Sequence, residues 1–125
     1  MTGAAGPAIE VDDLTIRYGD HVAVAGLSFR AERGRITALL GPNGAGKTST
    51  VETLEGYRSP TSGRVRVLGL DPQRDHGTLV TRIGVMLQNG GVYTGIRPLE
   101  MLQLFASYYE NPADPGELLE LVGLA

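Results

Sequence analysis

The chain of 125 residues contains no cysteine, and it carries little net charge. The absence of cysteine excludes disulfide bonds and metal sites built from thiolates. A formal net charge of −3 gives no support to nucleic-acid binding or to a basic surface that attaches to membranes. The longest nearly apolar stretch, Val22 to Leu27, is far shorter than the ~18 residues that a membrane-spanning helix needs. We therefore expect a soluble domain that reaches a membrane only through a partner protein.

Lysine is almost absent as well. The sequence has ten arginines but a single lysine, Lys47. A planar guanidinium and a compact ammonium on a flexible stem are not equivalent in binding. In a chain that otherwise uses arginine, the one lysine indicates a position where an ammonium is required.

The N-terminal segment also lacks the features of a targeting signal. Met1 to Ala8 has neither the basic start nor the apolar run of a signal peptide. We expect residues 1–8 to be a disordered lead-in. The remaining residues, 9–125, are enough for one small domain or part of one.

Apolar and polar residues alternate near the start of the chain, which predicts strands. The first strand is expected from Ile9 to Tyr18, and a second strand ends at Ala31 after a turn. Two short, almost wholly apolar runs, Ile36–Leu40 and Ile83–Leu87, are typical of strands buried on both faces of a parallel sheet. The pattern predicts an α/β fold with a mixed sheet, in which an antiparallel N-terminal part adjoins a parallel central layer.

Further elements follow from turn residues and periodicity. Pro98 suits the first turn of a helix, and the segment 111–115, with two prolines, ends that helix. We expect another strand at 64–68 and helices at about 47–57, 75–82, 98–109 and from 117 onward.

The segment from Gly41 to Thr48 matches the phosphate-loop pattern G-x-x-x-x-G-K-[ST]. It follows an apolar run and precedes a helical pattern, which is the context that this motif requires. An ordinary glycine-rich turn before a helix is the alternative. Because four positions match in the right context, we favour the phosphate loop.

The residue types of this loop suit a nucleotide polyphosphate. Backbone N–H groups can surround phosphates where no Cβ intervenes, as at Gly44 and Gly46. Unpaired N–H groups at the start of the helix face the anion. The ammonium of Lys47 can reach the β- and γ-phosphates, and the hydroxyl of Thr48 can bind Mg²⁺.

The run from Gly41 to Thr50, GPNGAGKTST, resembles the Walker A sequence of ABC transporter ATPases. LTIRYG, ending at Gly19, is similar to the aromatic A-loop of that family, and IGVMLQ, ending at Gln88, is similar to the strand that leads to its Q-loop. The resemblance covers nearly the whole chain from Ile9. The sequence after Leu87 is most similar to drug- and antibiotic-exporter ATPases.

The resemblance implies a set of site residues. Tyr18 would stack on the adenine through its ring face, a contact that needs no hydroxyl, and Val24 would pack beside it. Gln88 would contact Mg²⁺ or the attacking water and would sense the transmembrane partner. A core position for Tyr18 or Val24, and a solvated loop position for Gln88, are the alternatives. The implied nucleotide contacts are Tyr18, Val24, Gly41, Asn43, Gly44, Ala45, Gly46, Lys47, Thr48 and Ser49; the catalytic residues are Lys47 and Gln88, and the Mg²⁺ ligands are Thr48 and Gln88.

The 125 residues contain no LSGGQ-like signature motif and no apolar run that ends in Asp-Glu. By resemblance, the chain corresponds to the N-terminal part of an ABC ATPase domain that is truncated before the signature motif and Walker B. We therefore expect the fragment alone to be catalytically incompetent. The complete domain would dimerise and hydrolyse ATP.

The leading hypothesis is an ATP-binding subunit that drives transport, with export favoured. Its partners would be a permease subunit, reached through the Q-loop region, and a second ATPase subunit, and it would need no nucleic acid. It would lie in the cytoplasm, on the inner face of the cell membrane. A soluble ABC ATPase that acts on ribosomes or DNA, a small-molecule P-loop kinase and a non-catalytic nucleotide-binding remnant remain alternatives.

Overall fold

The computed structural model describes residues 6–42 and 44–125. They belong to two compact units, one that ends at Val80 and one from Thr81 to Ala125. The sequence predicts that residues 9–125 form the N-terminal portion of one ATPase domain, and this stays a prediction. The elements are β1 (Ile9–Tyr18), β2 (His21–Ala31), α1 (Lys47–Glu55), β3 (Ser62–Val67), α2 (His76–Leu79), α3 (Pro98–Ala106) and α4 (Pro115–Leu121).

Strand β1 is the centre of an antiparallel sheet with the order β2-β1-β3. The pairing of β1 with β2 shifts between Val11 and Leu14, where Asp13 has a φ of 49°. Such a bulge shifts the alternation of side chains. As a result Val11, Leu14 and Ile16 are all buried, although the first two are three residues apart. The predicted antiparallel part of the fold is confirmed.

The core of the first unit lies on one face of this sheet. Val11, Leu14, Ile16, Val24 and Val65 form the buried cluster, and Leu54 of α1 packs against it. Helix α1 presents mainly threonines to the interior, since Thr50 and Thr53 are at most 1% exposed. Their hydroxyls donate to the carbonyl oxygens four residues earlier, of Gly46 and Ser49, each at 2.8 Å. These bonds satisfy polar groups that burial would otherwise leave unpaired.

Ala8 already belongs to the ordered sheet. Its N–H donates to the carbonyl of Ala31 at 2.8 Å, and its carbonyl accepts from the N–H of Leu68 at 2.8 Å. Ala8 is thus paired directly before Ile9, where β1 begins. The extent of the predicted disordered lead-in, 1–8, stays a prediction. Residues 1–5 of that segment lie outside the described residues.

The two apolar runs that were predicted as parallel strands are irregular, and this expectation was wrong. Ile36 is fully exposed and Leu40 is 87% exposed, while Met86 is 96% exposed. A strand that is apolar on both faces needs neighbouring strands to complete its hydrogen bonds. Neither run pairs with a strand in residues 6–42 and 44–125. The central layer of the predicted sheet is therefore not formed in this structure.

The second unit consists chiefly of α3 and α4, which pack together. At the start of each helix, an acidic side chain accepts a hydrogen bond from a backbone N–H. Glu100 accepts from the N–H of Arg97 at 3.0 Å before α3, and Asp114 accepts from the N–H of Glu117 at 3.0 Å in α4. Both bonds satisfy backbone groups that have no partner inside the helix. Across the described residues, every helix is too short or too polar to cross a lipid bilayer.

Candidate nucleotide-binding site

The phosphate loop enters helix α1 through two glycines in the left-handed region. Gly44 has a φ of 84°, and Gly46, the N-cap of α1, has a φ of 87°. Only glycine adopts these values without strain. The N–H of Thr50 is the first to bond back into the helix, to Gly46 O at 2.9 Å. The N–H groups of residues 47–49 therefore have no acceptor within the helix.

Gly46 lies directly on strand β2. A Cβ at this position would come within 2.7 Å of Val24 Cγ2, and it would come closer still to the carbonyl oxygen of Ala23. Gly44 differs, because a Cβ there would have no atom within 4 Å. The sheet thus fixes the start of α1 through Gly46, whereas Gly44 serves only the turn of the loop.

Lys47 joins the two ends of the loop. Its ammonium donates a hydrogen bond to the carbonyl oxygen of Gly41. Within the loop, the N–H of Ala45 donates to Pro42 O at 3.1 Å. A Cβ on Gly41 would lie 3.2 Å from Ala45 Cβ, so the loop is tight at this point. The ammonium is thus held within the loop, where a phosphate can replace the carbonyl as its acceptor.

The start of α1 carries no negative charge that would repel a phosphate. Its first turn has no acidic side chain, and Gly46 supplies no side-chain cap. The partial positive charge of the helix end is therefore left available to an anion. Thr48 is exposed beside these groups. An ammonium, several N–H groups and one hydroxyl suit a polyphosphate with Mg²⁺.

Tyr18 lies at the end of β1 and is 40% exposed. Its hydroxyl oxygen is 2.7 Å from the hydroxyl oxygen of Ser49, in the first turn of α1. The guanidinium carbon of Arg58 lies 4.7 Å from the centroid of its ring. The ring is therefore half-exposed rather than a core side chain, and its hydroxyl has a partner that the sequence did not predict.

Arg58 is bound in turn to Glu52 of α1. Its Nε and Nη2 both donate to Glu52 Oε2, at 2.9 and 2.7 Å. These two residues are six positions apart, so they are not neighbours on a helix. The chain reverses between them at Gly56, which has a φ of 89°. Helical spacing could not reveal this contact, because it depends on the reversal.

Two carboxyl groups of the first unit titrate away from their ordinary range. Burial, helped by the neighbouring Glu52, raises the pKa of Glu55 at the end of α1. The N–H of Asp71 and the guanidinium of Arg74 lower the pKa of Asp75. The raised pKa shows that the ionised form of Glu55 is unfavourable where it stands.

The structure brings most of the predicted site residues together. Tyr18, Gly41, residues 44–48 and Ser49 belong to the first unit. Val24 is 6% exposed and belongs to the buried cluster, where it supports Gly46. Its predicted contact with nucleotide stays a prediction. Asn43 lies outside the described residues.

Gln88 lies in the second unit, in an exposed, irregular segment. Its predicted roles toward Mg²⁺ and the attacking water stay predictions. Among residues 6–42 and 44–125, no group of three or more His, Cys, Asp or Glu side chains is placed to bind a metal.

Comparison with known proteins decides the family. The model of the ABC transporter family matches residues 24–124. The chain belongs to the ATP-binding domains of ABC transporters. The chain is 38% identical over 101 residues to the probable multidrug ABC transporter ATP-binding protein YbhF of Escherichia coli. It is 37% identical over 126 residues to a daunorubicin resistance ATP-binding protein of Streptomyces coeruleorubidus.

The predicted fold class, an α/β ATPase domain of the ABC type, is confirmed by similarity to a solved structure. The solved structure of an ATP-binding subunit of an ABC transporter superposes on 94% of the present chain with a TM-score of 0.82 and 26% sequence identity. The chain covers 51% of that structure. It spans 18% of the Escherichia coli relative and 40% of the Streptomyces relative. Its relatives are thus considerably longer proteins.

Proposed function

We propose that the chain binds Mg²⁺–ATP, with the phosphates at the start of α1 and the adenine stacked on Tyr18. The carrying observation is the backbone of the phosphate loop. Gly46 packs on β2 at a φ of 87°, the N–H groups of residues 47–49 have no acceptor within the helix, and the Lys47 ammonium donates to the carbonyl oxygen of Gly41 in the same loop. This set of donors favours an anion of high charge.

Within this proposal, Thr48 supplies a hydroxyl ligand to Mg²⁺, and the other ligands come from phosphates, water and further residues. Mg²⁺ would neutralise charge that develops on the phosphates during hydrolysis. Lys47 would do the same from the protein side. The role of Gln88 toward the metal or the attacking water stays a prediction.

We further propose that ATP hydrolysis by a complete domain of this kind drives transport across a membrane, with export of a drug-like compound favoured. The support is that similar proteins carry multidrug and daunorubicin resistance in their names. The chain would then act on the cytoplasmic face of the cell membrane. It would contact a permease subunit through the region around Gln88 and pair with a second ATPase subunit. Residues 1–125 alone are expected to bind ATP without turning it over.

Equilibrium binding of a fluorescent ATP analogue with Mg²⁺ tests the site, with ATP and adenosine as competitors. We expect ATP to compete strongly and adenosine weakly, because the phosphates supply most of the contacts. Lys47→Ala should weaken binding, whereas Arg30→Ala should not. Arg30 is a suitable control because its side chain is 62% exposed and forms an ion pair, at 3.8 Å, with Glu10 of β1. Equal competition by ATP and adenosine would contradict the proposal.

Turnover is measured separately on the same chain, with Lys47→Ala as the blank. An ATPase rate near 1 s⁻¹, within the usual range of enzymes, that disappears in the blank would contradict the expected lack of turnover.

A further inference from the structure

Arg58 is fixed against Tyr18 by contacts on both sides. Its guanidinium carbon lies 4.7 Å from the centre of the Tyr18 ring, and two of its nitrogens donate to Glu52 Oε2. The side chains of Arg58 and Glu52 are only 34% and 35% exposed. A guanidinium that is bound at two nitrogens and stacked on a ring has little freedom left, so its position is well defined.

Tyr18 is oriented by a second contact at its other end. The hydroxyl pairs with Ser49 of α1, while the guanidinium covers one face of the ring. The residue nevertheless remains 40% exposed. An aromatic ring has two faces, and Arg58 lies over one of them, so the opposite face is the one on which a base could stack.

We infer that Arg58 is a positioning residue for the nucleotide base. It backs one face of Tyr18 and leaves the opposite face for the adenine, so that the base, the ring and the guanidinium form a stack. This inference rests on the proposed function, because it assumes that Tyr18 receives the base. A ring that is held before the ligand arrives loses less freedom on binding, which favours affinity. Glu52 acts one step further away, by holding Arg58.

The decisive experiment compares two ligands, Mg²⁺–ATP and inorganic tripolyphosphate. Tripolyphosphate has no base, so its binding reports the phosphate loop and the integrity of the fold. Arg58→Ala should weaken ATP binding by about 3- to 10-fold, within the usual range for a side chain that must be ordered on binding. The affinity of Arg58→Ala for tripolyphosphate should stay within about twofold of that of the unaltered chain. Arg58→Lys keeps the charge but not the planar group. Its affinity for ATP should lie between those of the unaltered chain and of Arg58→Ala.

A second variant separates an action through the ring from a general effect of charge. In a Tyr18→Ala background, Arg58→Ala should have no further effect on the ratio of the two affinities, because the ring is already absent. Arg64→Ala is the matched control. The side chain of Arg64 in β3 is 67% exposed, and it forms a 3.9 Å ion pair with Asp12. Its removal should leave the ratio unchanged.

Each contrary result has a distinct meaning. Unchanged ATP affinity in Arg58→Ala overturns the inference, and tighter ATP binding does so by showing that Arg58 occupies the face of the base. Equal losses for both ligands overturn it as well, since they indicate a structural or purely electrostatic role. If the unaltered chain binds neither ligand, the proposed function fails, and the inference fails with it. If the unaltered chain binds both and Arg58→Ala leaves their ratio unchanged, only the inference fails.

Discussion

The hydroxyl oxygens of Tyr18 and Ser49 lie 2.7 Å apart, which connects the end of β1 to the first turn of α1. Tyr18 is the residue proposed to receive the base, and Ser49 follows the phosphate loop directly. The two parts of a nucleotide site, for base and for phosphates, are thus joined by one hydrogen bond. The rest of the connection runs through β2, on which Gly46 packs.

The first prediction concerns Tyr18. Tyr18→Ala should weaken ATP and GTP binding alike by about 5- to 150-fold, since stacking contributes roughly 1–3 kcal/mol and tolerates any base. Tyr18→Phe keeps the ring and loses only the bond to Ser49, which is worth about 0.5–1 kcal/mol at an exposed site. We therefore expect at most a few-fold loss for Phe. Competition titrations with both nucleotides measure these differences, and equal losses for Ala and Phe would indicate a hydrogen-bonding role.

The second prediction concerns the two glycines of the loop. Gly46→Ala should reduce the free energy of unfolding by about 3 kcal/mol or more, because positive φ and overlap with β2 both oppose a methyl group. Gly44→Ala is the control, with the same sign of φ and open space around it. It should cost only about 1–2 kcal/mol of strain. Denaturant unfolding of both variants gives the comparison, and equal costs would show that contact with β2 is unimportant.

The third prediction concerns Lys47. Lys47→Ala should weaken ATP binding by about 10- to 100-fold, the usual range for a lost hydrogen bond from a charged donor. Lys47→Arg should bind ATP nearly as weakly as Lys47→Ala, since a planar guanidinium does not fit a tight loop shaped around an ammonium. Calorimetric titration with Mg²⁺–ATP measures both variants. Binding by Lys47→Arg as tight as that of the unaltered chain would refute the proposed role of the ammonium.

The fourth prediction concerns the pH dependence of stability at Glu55. A pKa that is raised on folding means that the protonated form stabilises the fold below the unfolded pKa, near 4.3. That contribution is lost as pH rises through the folded pKa. A negative charge at the end of a helix is also unfavourable, by about 0.3–1 kcal/mol. Glu55→Gln should therefore raise the unfolding midpoint at pH 7, and its advantage should shrink as the pH falls through the raised pKa and be largely lost by about pH 4.

The control for Glu55 is Glu32→Gln, in the exposed turn after β2. It should leave the unfolding midpoint almost unchanged at pH 7. If both variants stabilise the chain equally, the effect belongs to net charge and not to the surroundings of Glu55.

The sequence alone determined the local features of this protein. The alternation from Ile9 to Tyr18 defined β1, because side chains of a strand face opposite sides in turn. The pattern from Gly41 to Thr48 located the loop and the start of α1, because glycine and lysine are needed at fixed positions along the backbone. The family was also evident from these short motifs.

Only the tertiary structure decided the features that depend on distant residues. The runs Ile36–Leu40 and Ile83–Leu87 have the composition of buried strands, but composition cannot supply the neighbouring strands that would pair with them. The contact of Arg58 with Tyr18 joins residues that are forty positions apart, and it exists because the chain reverses at Gly56. Gly46 needs to be glycine for a reason that the motif does not contain, which is the backbone of β2 beneath it. Patterns along a chain report local geometry, whereas these contacts arise only when separate elements pack together.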